Sequence, residues 1–117
     1  MEKSDIHSLV LIENENFIGT SSFCKSRFQQ FEGFGEIVSI YFLPDYIGKG
    51  YGKKLMNAVV EELKRLGFHD IFLWVLEDNK RARAFYEKFG FVLGGHVYEN
   101  NIGGKKLREV SYLYHIY

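Results

Sequence analysis

The sequence predicts an α/β (α+β) fold, a mixed and mostly antiparallel sheet in the order β-β-β-α-β-α-β-β. Three patterns support this prediction. Apolar residues recur at helical spacing over residues 55–66, a continuous apolar run fills residues 70–76, and short β-branched or aromatic segments occupy both ends of the chain. At 117 residues, the chain is expected to form a single domain over residues 1–117.

The N-terminal third is predicted to form three strands. Residues 8–12 are apolar and β-branched, and the polar stretch 13–16 is typical of a turn before a second strand at residues 17–28. The third strand covers residues 35–44, where Pro44 ends it because proline lacks the N–H donor that a strand ladder needs.

The middle of the chain is predicted to be a helical crossover. The helix begins at Gly52, is capped by Gly67 and turns one apolar stripe to the core, formed by Leu55, Met56, Val59, Val60, Leu63 and Leu66. The apolar run at residues 70–76 is typical of a strand covered on both faces, so Trp74 is expected in the core. Because a helix joins them, the strands at 35–43 and 70–76 must be parallel.

The C-terminal third is predicted to contain a second helix and two more strands. Asp78 or Asn79 caps the helix and Gly90 ends it, and its apolar face carries Ala82, Phe85, Tyr86 and Phe89. Strands at residues 91–99 and 106–116 follow, joined by a turn through Asn100, Asn101, Gly103 and Gly104.

Composition excludes several classes of protein. Fifteen basic and fifteen acidic residues give no net charge, which argues against a partner such as nucleic acid or a membrane surface. The one cysteine, Cys24, rules out an intramolecular disulfide and favours a reducing, cytoplasmic location. No apolar segment is long enough to span a membrane, and the four histidines are too dispersed to predict a metal site.

Two segments are candidates for chemistry. Gly48, Gly50 and Gly52 lie between the third strand and the first helix, where backbone N–H groups and the helix dipole favour a phosphate, although such a turn is equally typical of a purely structural loop. Tyr86 lies on or beside the apolar stripe of the second helix, where the alternative role is core packing.

Residues 36–91 closely resemble the acetyl-CoA-binding core of the GNAT superfamily of N-acetyltransferases. The segment from Ile47 to Gly52 matches the family's Arg/Gln-x-x-Gly-x-Gly/Ala motif, with Ile47 in place of Arg or Gln. The family's second pattern, Asn-x-x-Ala-x-x-x-Tyr-x-x-x-Gly-Phe, is matched by Asn79, Ala82, Tyr86, Gly90 and Phe91. The resemblance implies direct transfer of an acetyl group from acetyl-CoA to an amine, without a metal.

The resemblance also implies which residues hold the donor. Backbone N–H groups would bind its pyrophosphate; they belong to Ile47, Gly48, Lys49, Gly50, Tyr51, Gly52 and Lys53. The two parallel strands would splay so that the pantetheine arm pairs with backbone at Tyr41, Phe42 and Leu43, and a backbone N–H at that strand end would face the thioester carbonyl. Asn79 would contact the same arm, and Lys49, Lys53 and Arg83 could replace the charge missing at Ile47.

Two side chains take catalytic roles by the same resemblance. Tyr86 matches the general acid that protonates the leaving thiolate, since a phenol stays protonated at neutral pH. Glu36 lies where some family members carry a general base, so it is expected to act as the base or to orient the amine; the alternative is an exposed carboxylate at a strand edge. The acceptor amine is expected on a small molecule or at a protein N-terminus or lysine.

The start of the chain departs from the family pattern. Family members usually begin with a strand and two helices, whereas this chain opens on what resembles their second strand. An edge strand left open in this way favours pairing with another chain. We therefore expect a homodimer or another partner, and the alternative function is a non-catalytic acetyl-CoA-binding module or a shortened homologue that depends on a partner.

Overall fold

A computed structural model describes residues 5–116 and confirms the predicted fold class and the order of strands and helices. The strands are β1 (His7–Glu13), β2 (Asn16–Lys25), β3 (Gly35–Phe42), β4 (Asp70–Leu76), β5 (Val92–Ile102) and β6 (Lys105–His115). The helices are α1 (Tyr51–Arg65) and α2 (Lys80–Phe89). They accompany a sheet of strand order β1-β2-β3-β4-β6-β5, in which β3 and β4 run parallel and the other described pairs run antiparallel.

Both helices pack against one face of the sheet, called here the helical face. Because successive strand residues point to opposite faces, β4 turns Ile71, Leu73 and Val75 to this face and Phe72 and Trp74 to the opposite face. The core on the helical face also contains Tyr86 from α2 and the predicted apolar stripe of α1, which comprises Leu55, Met56, Val59, Val60 and Leu63. Leu66, the last predicted member of that stripe, is exposed because it is the C-cap residue.

The two parallel strands in the centre of the sheet, β3 and β4, pair along only a short part of their length. β3 and β4 pair at three positions, Gly35↔Ile71, Glu36↔Phe72 and Ile37↔Leu73, whereas β3 pairs with β2 and β4 pairs with β6 at seven positions each. The β2–β3 register shifts at Val38, and from there β3 and β4 separate. A gap therefore opens between residues 38–42 and residues 74–76, which confirms the splayed pair.

The end of β2 differs from the prediction. The strand ends at Lys25, not at residue 28, because the Ser26 hydroxyl donates to the carbonyl of Phe28 and accepts from its N–H, which turns the chain out of the sheet. The loop of residues 26–34 then covers part of the opposite face. Phe31 stacks on Phe72 with ring centroids 4.1 Å apart, so hydrophobic burial holds this loop in place. β3 likewise ends at Phe42, and Pro44 begins a single 3₁₀ turn.

The C-terminal hairpin has a shorter turn than predicted. Asn100 and Asn101 belong to β5, where they pair with Leu107 and Lys106. The turn consists of Gly103 and Gly104 alone, with φ values of 59° and 79°. Positive φ at both central residues is the requirement of the tight hairpin turn that matches the twist of two strands, so the glycines end β5 and the asparagines do not.

Candidate active site

The loop between β3 and α1 presents backbone N–H groups at a helix N-terminus. Gly48 and Gly50 have φ values of 82° and 86°, in the left-handed region that glycine tolerates best. Gly50 is the N-cap of α1, and no side chain caps the helix, so the N–H groups of Tyr51, Gly52 and Lys53 are available to a ligand. Together with the positive end of the helix dipole, these N–H groups favour an anion.

Cationic side chains surround this loop. Lys49 and Lys53 make no ion pair within residues 5–116, whereas Lys54 is bonded to Glu13. Arg81 adds a charge that was not predicted from the sequence: its guanidinium Nη2 lies 3.5 Å from the position that a Cβ on Gly48 would occupy. Its only sequence signal was its place in the first turn of α2, two residues after Asn79.

Gly52 brings the beginnings of the two helices together. A Cβ at this position would lie 2.9 Å from Cε1 and 3.1 Å from Cζ of Phe85, closer than van der Waals contact allows. The absence of a side chain therefore lets the first turn of α1 pack against α2. Since α1 follows the end of β3 and α2 follows the end of β4, both helix N-termini lie at the end of the sheet where the gap opens.

Asn79 caps α2, as one of the two predicted alternatives required. Its side-chain Oδ1 accepts a hydrogen bond of 3.1 Å from the N–H of Ala82. The capping bond fixes the side-chain oxygen, so only the amide NH2 group of Asn79 is left to contact a ligand, and it has no hydrogen-bond partner within residues 5–116.

Arg83 is held by two parts of the fold that lie far apart in sequence. Its Nε donates to the hydroxyl of Tyr112 at 3.0 Å, and its Nη1 donates to the backbone carbonyl of Glu77 at 2.9 Å. The Tyr112 hydroxyl in turn donates to Glu87 at 2.5 Å. These bonds tie α2 to β6 and to the end of β4, and they leave Nη2 as the nitrogen through which Arg83 can meet a bound anion.

Tyr86 lies in the core with its ring against Phe91 and Tyr112, at centroid distances of 5.8 and 6.2 Å. The residue is 7% exposed, and its hydroxyl has no hydrogen-bond partner within residues 5–116. Burial raises the pKa of Tyr86 to about 12, because the phenolate is poorly solvated there. The hydroxyl is therefore a proton donor that stays protonated throughout the neutral and mildly alkaline range.

A pocket of about 300 Å³ lies on the opposite face of the sheet, at the point where β3 and β4 separate. Ile37 and Val38 line it from β3, and Trp74 lines it from β4. Aromatic rings from Phe28 and Tyr98 complete its apolar wall, and its charged residues are Arg27, Glu36 and Glu109. These residues together form the site called here the pocket.

Glu36 is buried in the pocket wall, with 2% of its side chain exposed, which excludes the alternative of an exposed carboxylate at a strand edge. Both of its oxygens are bonded to Arg27. Oε1 accepts from the backbone N–H at 3.0 Å and from Nε at 3.2 Å, and Oε2 accepts from Nη2 at 2.7 Å. Donors of Arg27 therefore occupy three of the roughly four lone-pair sites of this carboxylate.

Two pocket residues differ from what was expected from the sequence. Trp74 is half-buried on the opposite face instead of in the core, and its indole Nε1 is fully buried without a hydrogen-bond partner in the described part of the chain. Glu109 on β6 was not singled out, because one acidic residue in a strand carries no local signal. Burial raises the pKa of Glu109.

The predicted backbone contacts at the end of β3 adjoin the gap. Leu43 donates its N–H to the carbonyl of Ile18 at 3.0 Å, on the β2 side. Because backbone groups alternate in direction along a strand, the N–H of Phe42 points to the gap. The Phe42 side chain packs against the core, whereas Tyr41 is exposed on the opposite face.

Cys24 neighbours the pocket but does not line it. Cys24 is buried beside Glu36, and burial followed by the charge of Glu36 raises the pKa of its thiol. Over residues 5–116, no cluster of three or more histidine, cysteine or acidic side chains is placed to hold a metal ion. No helix in that range has the length and apolarity needed to cross a membrane.

Comparisons with known proteins identify the family of this chain. The model of the acetyltransferase (GNAT) family matches residues 1–91. The chain belongs to the GNAT acetyltransferase family. Among its relatives, the [ribosomal protein bS18]-alanine N-acetyltransferase of Haemophilus influenzae is 37% identical over 84 residues, covering 72% of this chain and 53% of the relative. The L-amino acid N-acyltransferase MnaT of Escherichia coli is 30% identical over 86 residues, covering 72% of this chain and 50% of the relative.

Solved structures support the same family membership. The structure of yncA from Salmonella typhimurium with its cofactor acetyl-CoA superimposes with a TM-score of 0.79 at 25% identity, over 94% of this GNAT chain and 64% of that one. This GNAT chain thus spans about half the length of the curated relatives named above and about two thirds of that solved structure.

Proposed function

We propose that this chain is an N-acetyltransferase that transfers the acetyl group of acetyl-CoA to a primary amine by direct attack in a ternary complex. The observation that carries the proposal is the gap between β3 and β4. The gap ends at the two helix N-termini, which favour an anion, and it begins at the pocket that contains Glu36. A donor with a phosphate end and a reactive end fits this arrangement.

The donor is bound mainly by backbone in this proposal. N–H groups of residues 47–53 hold the pyrophosphate, while Lys49, Lys53, Arg81 and the Nη2 of Arg83 supply positive charge around it. The pantetheine arm lies in the gap, bonded to backbone of Tyr41, Phe42 and Leu43, and the NH2 group of Asn79 contacts it. Backbone bonding explains how Ile47 can replace the polar residue of the family motif without loss of the site.

The reaction needs one nucleophile and one acid. The neutral amine nitrogen attacks the thioester carbonyl carbon, and the resulting tetrahedral intermediate collapses by breaking the carbon–sulfur bond. The CoA thiolate takes the phenolic proton of Tyr86, and solvent returns a proton to the phenolate. The amine gives up its own proton to Glu36 or to water beside it, so Glu36 acts as the base or orients the amine.

The proposal is tested by replacing Tyr86 with phenylalanine. Since the hydroxyl has no partner in the described part of the fold, Tyr86→Phe should keep its stability and its acetyl-CoA affinity, while turnover with an amine falls by about 10²- to 10⁴-fold. Thiol release measures turnover, and a melting curve with and without acetyl-CoA measures donor binding.

Tyr114→Phe is the matched control, because Tyr114 packs against Phe89 and Phe91 on the same face of the sheet and lies outside the proposed site. Its turnover should equal that of the wild type. If acetyl-CoA raises the melting temperature but no amine is acetylated, the chain is the non-catalytic acetyl-CoA-binding module. If acetyl-CoA has no effect on the melting curve, the proposed donor site is wrong.

We further propose a cytoplasmic homodimer. The sheet ends in two edge strands, β1 and β5, and β5 exposes Val92, Leu93 and Val97. The single unpaired thiol of Cys24 is compatible with a reducing compartment. A sedimentation profile that stays monomeric at micromolar concentration would contradict the dimer.

A further inference from the structure

The pocket carries one negative charge that the fold does not compensate. The charges of Arg27 and Glu36 cancel through their three hydrogen bonds. Glu109 has no ion pair and no hydrogen bond within residues 5–116, although Arg108 is adjacent to it in sequence. Arg108 is instead paired with Glu77 at 3.2 Å and with Glu99 at 3.8 Å. With Arg27, Glu36 and Glu109 all in their charged forms, the lining of the pocket has a formal net charge of −1, which is that of Glu109.

Aromatic rings form the wall beside this carboxylate. Phe28, Trp74 and Tyr98 contact one another in a triangle, with centroid distances of 5.5 Å, 5.6 Å and 5.7 Å. Glu109 is the register partner of Tyr98 across the β5–β6 pair. Aromatic faces attract cations and also bury apolar groups, so this wall favours a cation with an apolar body.

Resting on the proposed function, we infer that Glu109 binds the ammonium group of the acceptor, and that the acceptor is a singly charged primary amine with a compact apolar or aromatic body. One uncompensated carboxylate matches one positive charge, and a volume of about 300 Å³ accommodates a small molecule or the terminal residue of a peptide. The ammonium lies beside the gap, because the pocket opens where β3 and β4 separate.

The burial of Glu109 and Trp74 in this wall supports the inference. Burial disfavours the carboxylate form of Glu109, and Trp74 adds to the same wall an indole N–H that is buried without a partner in the described chain. Burying a carboxylate or an N–H group without a partner lowers the free energy of unfolding. A cationic ligand bound to Glu109 offsets the cost of burying its carboxylate. A carboxylate that lowers stability in this way is typical of a binding residue.

Amine binding can be measured without any donor, because Trp74 is the single tryptophan of the chain and its fluorescence reports on the pocket. The probe is 2-phenylethylamine, with 2-phenylethanol and phenylacetate as neutral and anionic ligands of similar shape. We expect saturable binding of the amine and much weaker binding of the other two. Glu109→Gln should weaken amine binding by about 10- to 100-fold, since it removes a charge-assisted hydrogen bond, and Glu109→Asp should restore part of the affinity.

Glu61→Gln is the control, because Glu61 is an exposed carboxylate on α1 that makes no ion pair or side-chain hydrogen bond within residues 5–116. Its amine affinity should equal that of the wild type. The inference is overturned if the amine does not bind saturably, if the alcohol binds equally well, or if Glu109→Gln binds the amine as tightly as the wild type. In turnover, Glu109→Gln should raise KM for the amine and leave acetyl-CoA affinity unchanged.

Two other measurements distinguish a failure of the proposed function from a failure of the amine site. A melting curve with acetyl-CoA tests the donor site on the same samples, and thiol release tests transfer. Amine binding that depends on Glu109, without a donor effect or turnover, would refute the acetyltransferase proposal and retain the amine site. Donor binding and turnover with an unchanged Glu109→Gln variant would refute only the role of Glu109.

Discussion

Removal of the Arg27 side chain tests how strongly the fold depends on the buried carboxylate of Glu36. Arg27→Ala removes two of the three hydrogen bonds that Glu36 accepts and leaves only the backbone N–H bond of 3.0 Å. A hydrogen bond to a charged group contributes about 1.5–3 kcal/mol, but water replaces part of the loss, because the Arg27 side chain is 55% exposed. We therefore expect the free energy of unfolding to fall by about 2–3 kcal/mol, and Tm to fall by roughly 10 °C.

Urea unfolding at pH 7 measures this loss in four proteins: the wild type, Arg27→Ala, Glu36→Gln and the double variant. If the two groups form one unit, the double variant loses less than the sum of the single losses. Arg65→Ala is the control, because Arg65 also binds a carboxylate, that of Glu62, but on a surface where its side chain is 68% exposed. The control should lose under about 0.5 kcal/mol. Equal losses in Arg27→Ala and Arg65→Ala would refute the reasoning.

Three further predictions concern single side chains. Burial raises the folded-state pKa of Tyr86 to about 12, so the free energy of unfolding of the wild type should fall relative to that of Tyr86→Phe as pH rises above 10. The expected fall is about 1.4 kcal/mol at pH 11. If urea unfolding gives the same difference between the two proteins at pH 8 and at pH 11, this prediction is wrong. Glu109→Gln should raise Tm at pH 7, and this gain should shrink as pH falls toward 4. The reason is that burial raises the pKa of Glu109, so its carboxylate form destabilises the fold only at pH values above the ordinary pKa of glutamate. An equal gain in Tm at pH 7 and pH 4 would be inconsistent with that cause. Asn79→Ala should lose about 1 kcal/mol with its capping bond, whereas Asn57→Ala on the exposed side of α1 should lose nothing in the same thermal melts.

The parts of the site that depend on local chemistry were predictable from the sequence. The glycine turn before α1 and an N-cap at Asp78 or Asn79 follow from backbone preferences that act over a few residues, and the structure assigns the cap to Asn79. The parallel pairing of β3 and β4 also follows, because a helical crossover allows no other direction. These features agree with the sequence-based predictions for the same physical reason: each is determined within one turn or one connection.

The parts that depend on contacts between distant residues were not predictable. The apolar run of β4 does not show which of its faces the helices cover, so Trp74 was assigned to the core although it lines the pocket. Arg83 bonds to Tyr112, which lies 29 positions away in the sequence, and no local pattern predicts that bond. The position of Glu109 in the pocket, without a partner for its charge, follows from the pairing of β6 with β5, which places Glu109 beside Tyr98.

The short ladder between β3 and β4 also bears on how the domain holds together. Backbone hydrogen bonding divides the sheet into two units, β1-β2-β3 and β4-β6-β5, which share three paired positions. A molecule that lies in the gap and bonds to both strand edges acts as an additional strand between these units. Its arrival would join two locally opening units into one cooperative unit, so that slowed amide hydrogen exchange would extend from the gap into both halves of the sheet.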